Sequence, residues 1–240
     1  MPREHGLWSW MSAPLCLVFG LEPTLTVALG CLSIVLGFFA INALRAAKVH
    51  LATWLGVAGA TLALLIVPAL PTPLGWSLGY ASFALAGRFG SRRPGVGLGR
   101  SGVRDPEATW WEVSAIAGFA VLALALGVAA GLPAGWLSTA MLGLVSFELA
   151  GLYWVRRELS RVLPGRSGWT AGPALVLGSA AAAVALALWA GAPHLGALPA
   201  LYLLRILTTR AAATARDARR LGLGEAAWAA LAVGLVVGAA

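Results

Sequence analysis

The chain has 240 residues, 60% of them hydrophobic and 11% charged, with a mean hydropathy of +0.84 and a net charge of +8. A soluble domain carries about 25% charged residues, so too little polar surface is present to face water on all sides. This excludes an ordinary soluble enzyme, and long Ala-, Leu- and Gly-rich runs without two-residue alternation favour membrane helices over a barrel.

Apolar segments predict helices at 7–21, 23–43, 51–70, 72–87, 111–131, 134–155, 171–191, 195–211 and 224–240, a polytopic all-α bundle of about nine helices in one domain, 1–240. No small-x-small cleavage site follows the first segment, so it is expected to stay in the mature protein. The first, fourth and eighth segments are short for a span of about 20 residues, and one of them reads equally as re-entrant. Pro23, Pro71 with Pro73, Pro133 and Pro193 mark four tight turns that contain no Lys or Arg. The N-terminus and the other four connections, with the end of the eighth segment, hold Arg3; Arg45 and Lys48; Arg88 to Arg104; Arg156 to Arg166; and Arg205 to Arg220. Together these account for all 17 basic residues. Such segregation predicts an odd number of crossings with the N-terminus inside and the C-terminus outside. The basic excess therefore reads as topology and anionic-lipid contact, and no nucleic-acid partner is expected.

Tryptophans cluster near the predicted helix ends, where an amphipathic ring favours the headgroup region. The run Gly178-Ser-Ala-Ala-Ala-Ala-Val suits close helix packing. Cys16 and Cys31 lie in apolar segments without metal-ligand spacing, so no metal or cofactor is expected. Gly95-Val-Gly97-Leu-Gly99 has half of a nucleotide fingerprint but no strand–turn–helix setting. Phe39 to Arg45 and Leu152 to Arg157 share a weak likeness that suggests pseudo-repeats 1–87 and 111–211, plus a ninth helix at 224–240.

No fixed-spacing catalytic motif occurs, so attention falls on polar groups at membrane depth, where each is costly. Glu148 is the sharpest. It lies eight residues before Arg156, about 12 Å along a helix. A carboxyl there protonates or finds a partner, and Arg205 lies at comparable depth. Predicted topology brings His5, Asn42, Arg45, Glu112, Arg156 and Glu225 to the same face. Plainer readings stand beside each: a structural ion pair for Glu148, a helix N-terminus for Glu112 and Glu225, positive-inside signal for the arginines.

The opening Pro2-Arg3-Glu4-His5-Gly6-x-Trp8, with Pro14, resembles the start of the YwiC-like family of bacterial membrane proteins. Arg104–Glu112, Tyr153-Trp154-Val155-Arg156 and Leu203-Leu204-Arg205 through Glu225 look similar as well. The resemblance implies a multi-pass protein of the bacterial cytoplasmic membrane. Nine helices with basic loops after the second and sixth also resemble the UbiA prenyltransferase superfamily. Its Asp-rich motifs are absent: Asn42-Ala-Leu-Arg45 and Tyr153-Trp-Val-Arg-Arg-Glu158 stand in their places. Metal-assisted ionisation of a diphosphate therefore does not follow.

The leading expectation is a cytoplasm-facing pocket for a lipid-, isoprenoid- or quinone-like anionic ligand. His5 or Glu148 would handle a proton, and Asn42, Arg45, Glu112, Arg156, Arg205 and Glu225 would bind the ligand. The alternatives are a small-molecule or proton-coupled transporter built on Glu148 and Arg205, and a non-catalytic membrane anchor or assembly subunit.

Overall fold

Proline and glycine set the helix boundaries. A computed structural model describes residues 6–45, 48–66, 106–162, 171–208 and 215–240. Among them are eight α-helices and no strand: α1 (Gly6–Leu21), α2 (Leu25–Arg45), α3 (Val49–Ile66), α4 (Pro106–Ala129), α5 (Ala134–Val162), α6 (Gly172–Trp189), α7 (Ala197–Thr208) and α8 (Ala215–Gly238). A short 3-10 turn, Pro193–Gly196, precedes α7. The predicted 72–87 helix, the glycine-rich basic loop and His5 lie outside the described residues.

Two turns are built alike. Gly131 and Gly191 adopt φ of 94° and 67°, a left-handed conformation that side-chain-bearing residues rarely take. Each closes its helix with a pair of backbone bonds: Gly131 N to Val128 O and Leu132 N to Gly127 O, then Gly191 N to Leu188 O and Ala192 N to Ala187 O. Pro133 and Pro193 follow directly and cannot continue the preceding helix.

Three predicted boundaries move by five residues or more. Helix α4 starts at Pro106 rather than 111, because proline at the first helical position gives up only an N–H that had no partner. Helix α5 runs on to Val162 rather than ending at 155, and α8 starts at Ala215 rather than 224. Arg, Glu, Leu and Ala in those stretches are good helix formers, so the helices outrun their apolar parts.

Helix α5 is the hub. It packs against α1, α4, α6, α7 and α8, while α2 pairs with α3, and α1 joins α4 and α8. Leu17, Val18, Ile34, Phe119, Leu122, Leu126, Leu137, Leu144 and Leu152 make one continuous buried core. Ser33 Oγ donates to Gly59 O at 2.8 Å, tying α2 to α3.

Among the described residues, three stretches are long and apolar enough to cross a membrane: Glu112–Ala129, Ala134–Glu158 and Gly172–Trp189. The two shorter ones, of 18 residues each, are about 27 Å long, close to the hydrocarbon thickness. Leu25–Ile41 and Gly224–Gly238 are shorter apolar stretches. Burial separates their settings: 72% of the α5 stretch is inside the protein against 17% of the α6 stretch. Leu177, Leu188 and Trp189 of α6, and Trp54 of α3, project outward, the two tryptophans 82% and 75% exposed. An apolar helix turned outward suits a lipid environment.

Candidate functional site

Among the described residues, charged groups of α4, α5, α7 and α8 form ion pairs alongside α5. Glu112, in the second turn of α4, receives Nε and Nη2 of Arg156 from α5 on a single oxygen, with the Nε contact at 3.0 Å. On the other side of α5, Arg205 of α7 pairs with Glu225 of α8, and both side chains are almost fully buried. Farther along α5, Glu158 is buried and holds the more exposed Arg161 at 3.0 Å.

Gly151 of α5 faces the Arg205–Glu225 pair. A Cβ built on Gly151 would stand 2.5 Å from Glu225 Oε2 and 3.5 Å from Arg205 Nη1. The bare backbone of α5 therefore forms a wall of the ion pair. Tyr202, one turn before Arg205, fixes α7 on the same wall. Its hydroxyl donates to Ala150 O at 2.6 Å, and its ring meets Phe147 edge-on at 6.3 Å between centroids. The Arg205 guanidinium lies 5.6 Å from the Tyr202 ring centre, a cation–π distance.

Glu148 stands apart from these pairs. It is 1% exposed, and neither carboxyl oxygen has a hydrogen-bond partner among the described residues. The expected Glu148–Arg205 pair is not formed, because α8 places Glu225 on that guanidinium instead. Glu148 precedes Gly151 by three residues on an unbroken helix, so it lies about 4.5 Å along the axis from the wall of the Arg205–Glu225 pair. Another buried polar atom, the indole N–H of Trp154, also lacks an acceptor among the described residues, while Arg157 lies over that ring at 5.7 Å.

Of the residues singled out from sequence, Glu112 with Arg156, and Arg205 with Glu225, come together, and Glu148 sits close by in the bundle interior. The helix N-terminal reading of Glu112 and Glu225 gives way. Each helix starts earlier, so the first is six residues and the second ten past its first residue, and both carboxylates hold arginines. The backbones of Asn42 and Arg45 lie in the last turn of α2, and their side chains lie outside what is described, as does His5. Among the described residues, no three His, Cys, Asp or Glu side chains gather as a metal site.

Gly151, Tyr202 and Glu158 were not picked out from sequence. Glu158 and Arg161 had a signal in their i,i+3 spacing. Gly151 had one in its position a turn after a membrane-depth carboxyl. Comparison with protein-family models, curated proteins and solved structures returned no match.

Proposed function

We propose that the chain is a multi-pass protein of the bacterial cytoplasmic membrane, of the YwiC-like type, and that it is a proton-coupled transporter with Glu148 as the proton carrier. In this reading nine helices form a UbiA-like bundle, the N-terminus is inside, and the ion-pair layer faces the cytoplasm. His5, Asn42 and Arg45 join that layer.

One observation carries the choice. Glu148 is buried without a hydrogen-bond partner among the described residues, while Arg156 and Arg205 are each held by a carboxylate. Guanidiniums already matched to carboxylates are poorer anchors for an anionic head, whereas an unmatched intramembrane carboxyl is the usual mark of a proton pathway. An anchor protein would have Glu148 locked by Arg205. The broken helix around Glu148 that a transporter is expected to show is absent from α5, which runs unbroken from Ala134 to Val162, so this reading requires rocking of whole helices instead.

The test is a pH jump on proteoliposomes adsorbed to a sensor electrode. Wild type gives a transient charge displacement as Glu148 gains or loses its proton, and Glu148→Gln abolishes it. An equal transient in Glu148→Gln overturns the reading.

A second reading keeps the lipid- or isoprenoid-like anionic ligand. It is favoured by Arg156, whose side chain is 11% exposed at the layer, so a phosphate head competing with Glu112 has a route to it. Native mass spectrometry that finds a co-purified isoprenoid phosphate, lost in Arg156→Gln, would favour this reading over transport.

A further inference from the structure

Two carboxyls concern Arg205, and an ion pair is made by one of them. Glu225 reaches it from α8, with Oε1 on the guanidinium and Oε2 against the backbone of Gly151. Glu148 is the other. Its Cβ lies about 5–6 Å from where a Cβ on Gly151 would be, the spacing of i,i+3 neighbours on a helix. Arg205 Nη1 is 3.5 Å from that same point. Glu148 and Arg205 are therefore within the combined reach of two flexible side chains.

We infer that Gly151 is a positioning residue that selects the partner of Arg205, seating Glu225 on the guanidinium and so keeping Glu148 off it. A Cβ at position 151 would act on the two partners unequally. At 2.5 Å it forces Glu225 Oε2 to move, whereas at 3.5 Å it makes ordinary contact with Arg205 Nη1. Arg205 stays in place, because Tyr202 holds it under the ring and is itself bonded to Ala150. A displaced Glu225 leaves a buried positive charge that needs a new counter-charge, and the carboxyl one turn away on α5 supplies it. This inference rests on Glu148 being the proton carrier, since a carboxylate locked to Arg205 cannot exchange protons freely.

The test is labelling of the purified full chain with dicyclohexylcarbodiimide, read residue by residue by peptide mass spectrometry. The reagent takes the proton of a carboxylic acid and adds its carboxylate oxygen, then rearranges to a stable acylurea. An arginine-paired carboxylate has no proton to give. Wild type is expected to label at Glu148 and not at Glu225. In Gly151→Ala, labelling at Glu148 falls about tenfold or more, the effect of an opposite charge arriving within about 4–6 Å, and Glu225 begins to label. Shortening the acid in Gly151→Ala/Glu225→Asp restores the wild-type pattern, because the carboxylate withdraws from the new methyl group.

If Gly151→Ala cannot be recovered from membranes, Glu225→Gln makes the same test without a clash, and Glu148 labelling falls there too. Undiminished Glu148 labelling in Glu225→Gln, or in a folded Gly151→Ala, overturns partner selection and leaves the proton-carrier reading standing. A wild type that labels at Glu225 and not at Glu148 overturns both.

Discussion

Arg205 and Glu225 show how a buried pair differs from two buried charges. With both present the cost of burying each is largely met by the other; removing one leaves the other unpaired, at about 3–5 kcal/mol. Arg205→Met should therefore destabilise the protein by about that much, while Arg205→Met/Glu225→Met should recover most of it, read as unfolding midpoints in the same detergent. Tyr202→Phe removes only the hydroxyl bond to Ala150 O. Interhelical hydrogen bonds in membrane proteins average about 0.6 kcal/mol, so a small loss is expected from the same measurement. At this scale the sequence marks which residues matter more clearly than it marks who meets whom. Glu112, Glu148, Arg156, Arg205 and Glu225 stand out because charge is rare in this chain. Pairing depends on helix rotation and on where each helix begins. The ten residues of α8 ahead of Glu225 were charged enough to read as loop, and that hid a carboxylate in mid-helix.

Among the elements, the turn between α4 and α5 offers a direct contrast between neighbouring glycines. Gly131 holds φ of 94°, where a methyl group is strained whatever the space around it. Gly135 lies in the first turn of α5, and a methyl group added there would have nothing within 4 Å. Gly131→Ala should cost about 1 kcal/mol, and Gly135→Ala should be neutral or stabilising by up to about 1 kcal/mol. Unfolding of the two variants side by side checks the sign. The turns after α1, α4 and α6 were legible because Pro23, Pro133 and Pro193 cannot continue a helix. The 3-10 turn at Pro193–Gly196 was not, since its residues continue the apolar pattern and differ from an α-helix only in backbone bonding.

For the molecule as a whole, every basic residue falls in the N-terminal stretch or in alternate connections and the helix ends beside them. The proposed orientation puts Lys48 in the cytoplasm and Ala240 outside. In a chain freed of Cys16 and Cys31, a cysteine at Ala240 should react with a membrane-impermeant maleimide on intact cells, and one at Lys48 only after lysis. Reaction of both on intact cells would contradict an odd number of crossings. All-helical architecture followed from composition alone, because no other backbone arrangement suits so apolar a chain with no strand alternation. The arrangement around α5 did not follow. Helices that are apolar nearly all round have no distinct polar face to say which side turns outward.

The outward rings of Trp54 and Trp189 also make the protein its own depth gauge. Trp54 lies near the start of α3, next to the basic stretch at Arg45 and Lys48, whereas Trp189 ends α6 at the turn that contains no Lys or Arg. In the proposed topology these indoles sit in opposite leaflets. With the other nine tryptophans replaced, lipids brominated in one leaflet alone would dim one fluorophore and spare the other, reporting which leaflet each indole occupies without an added probe.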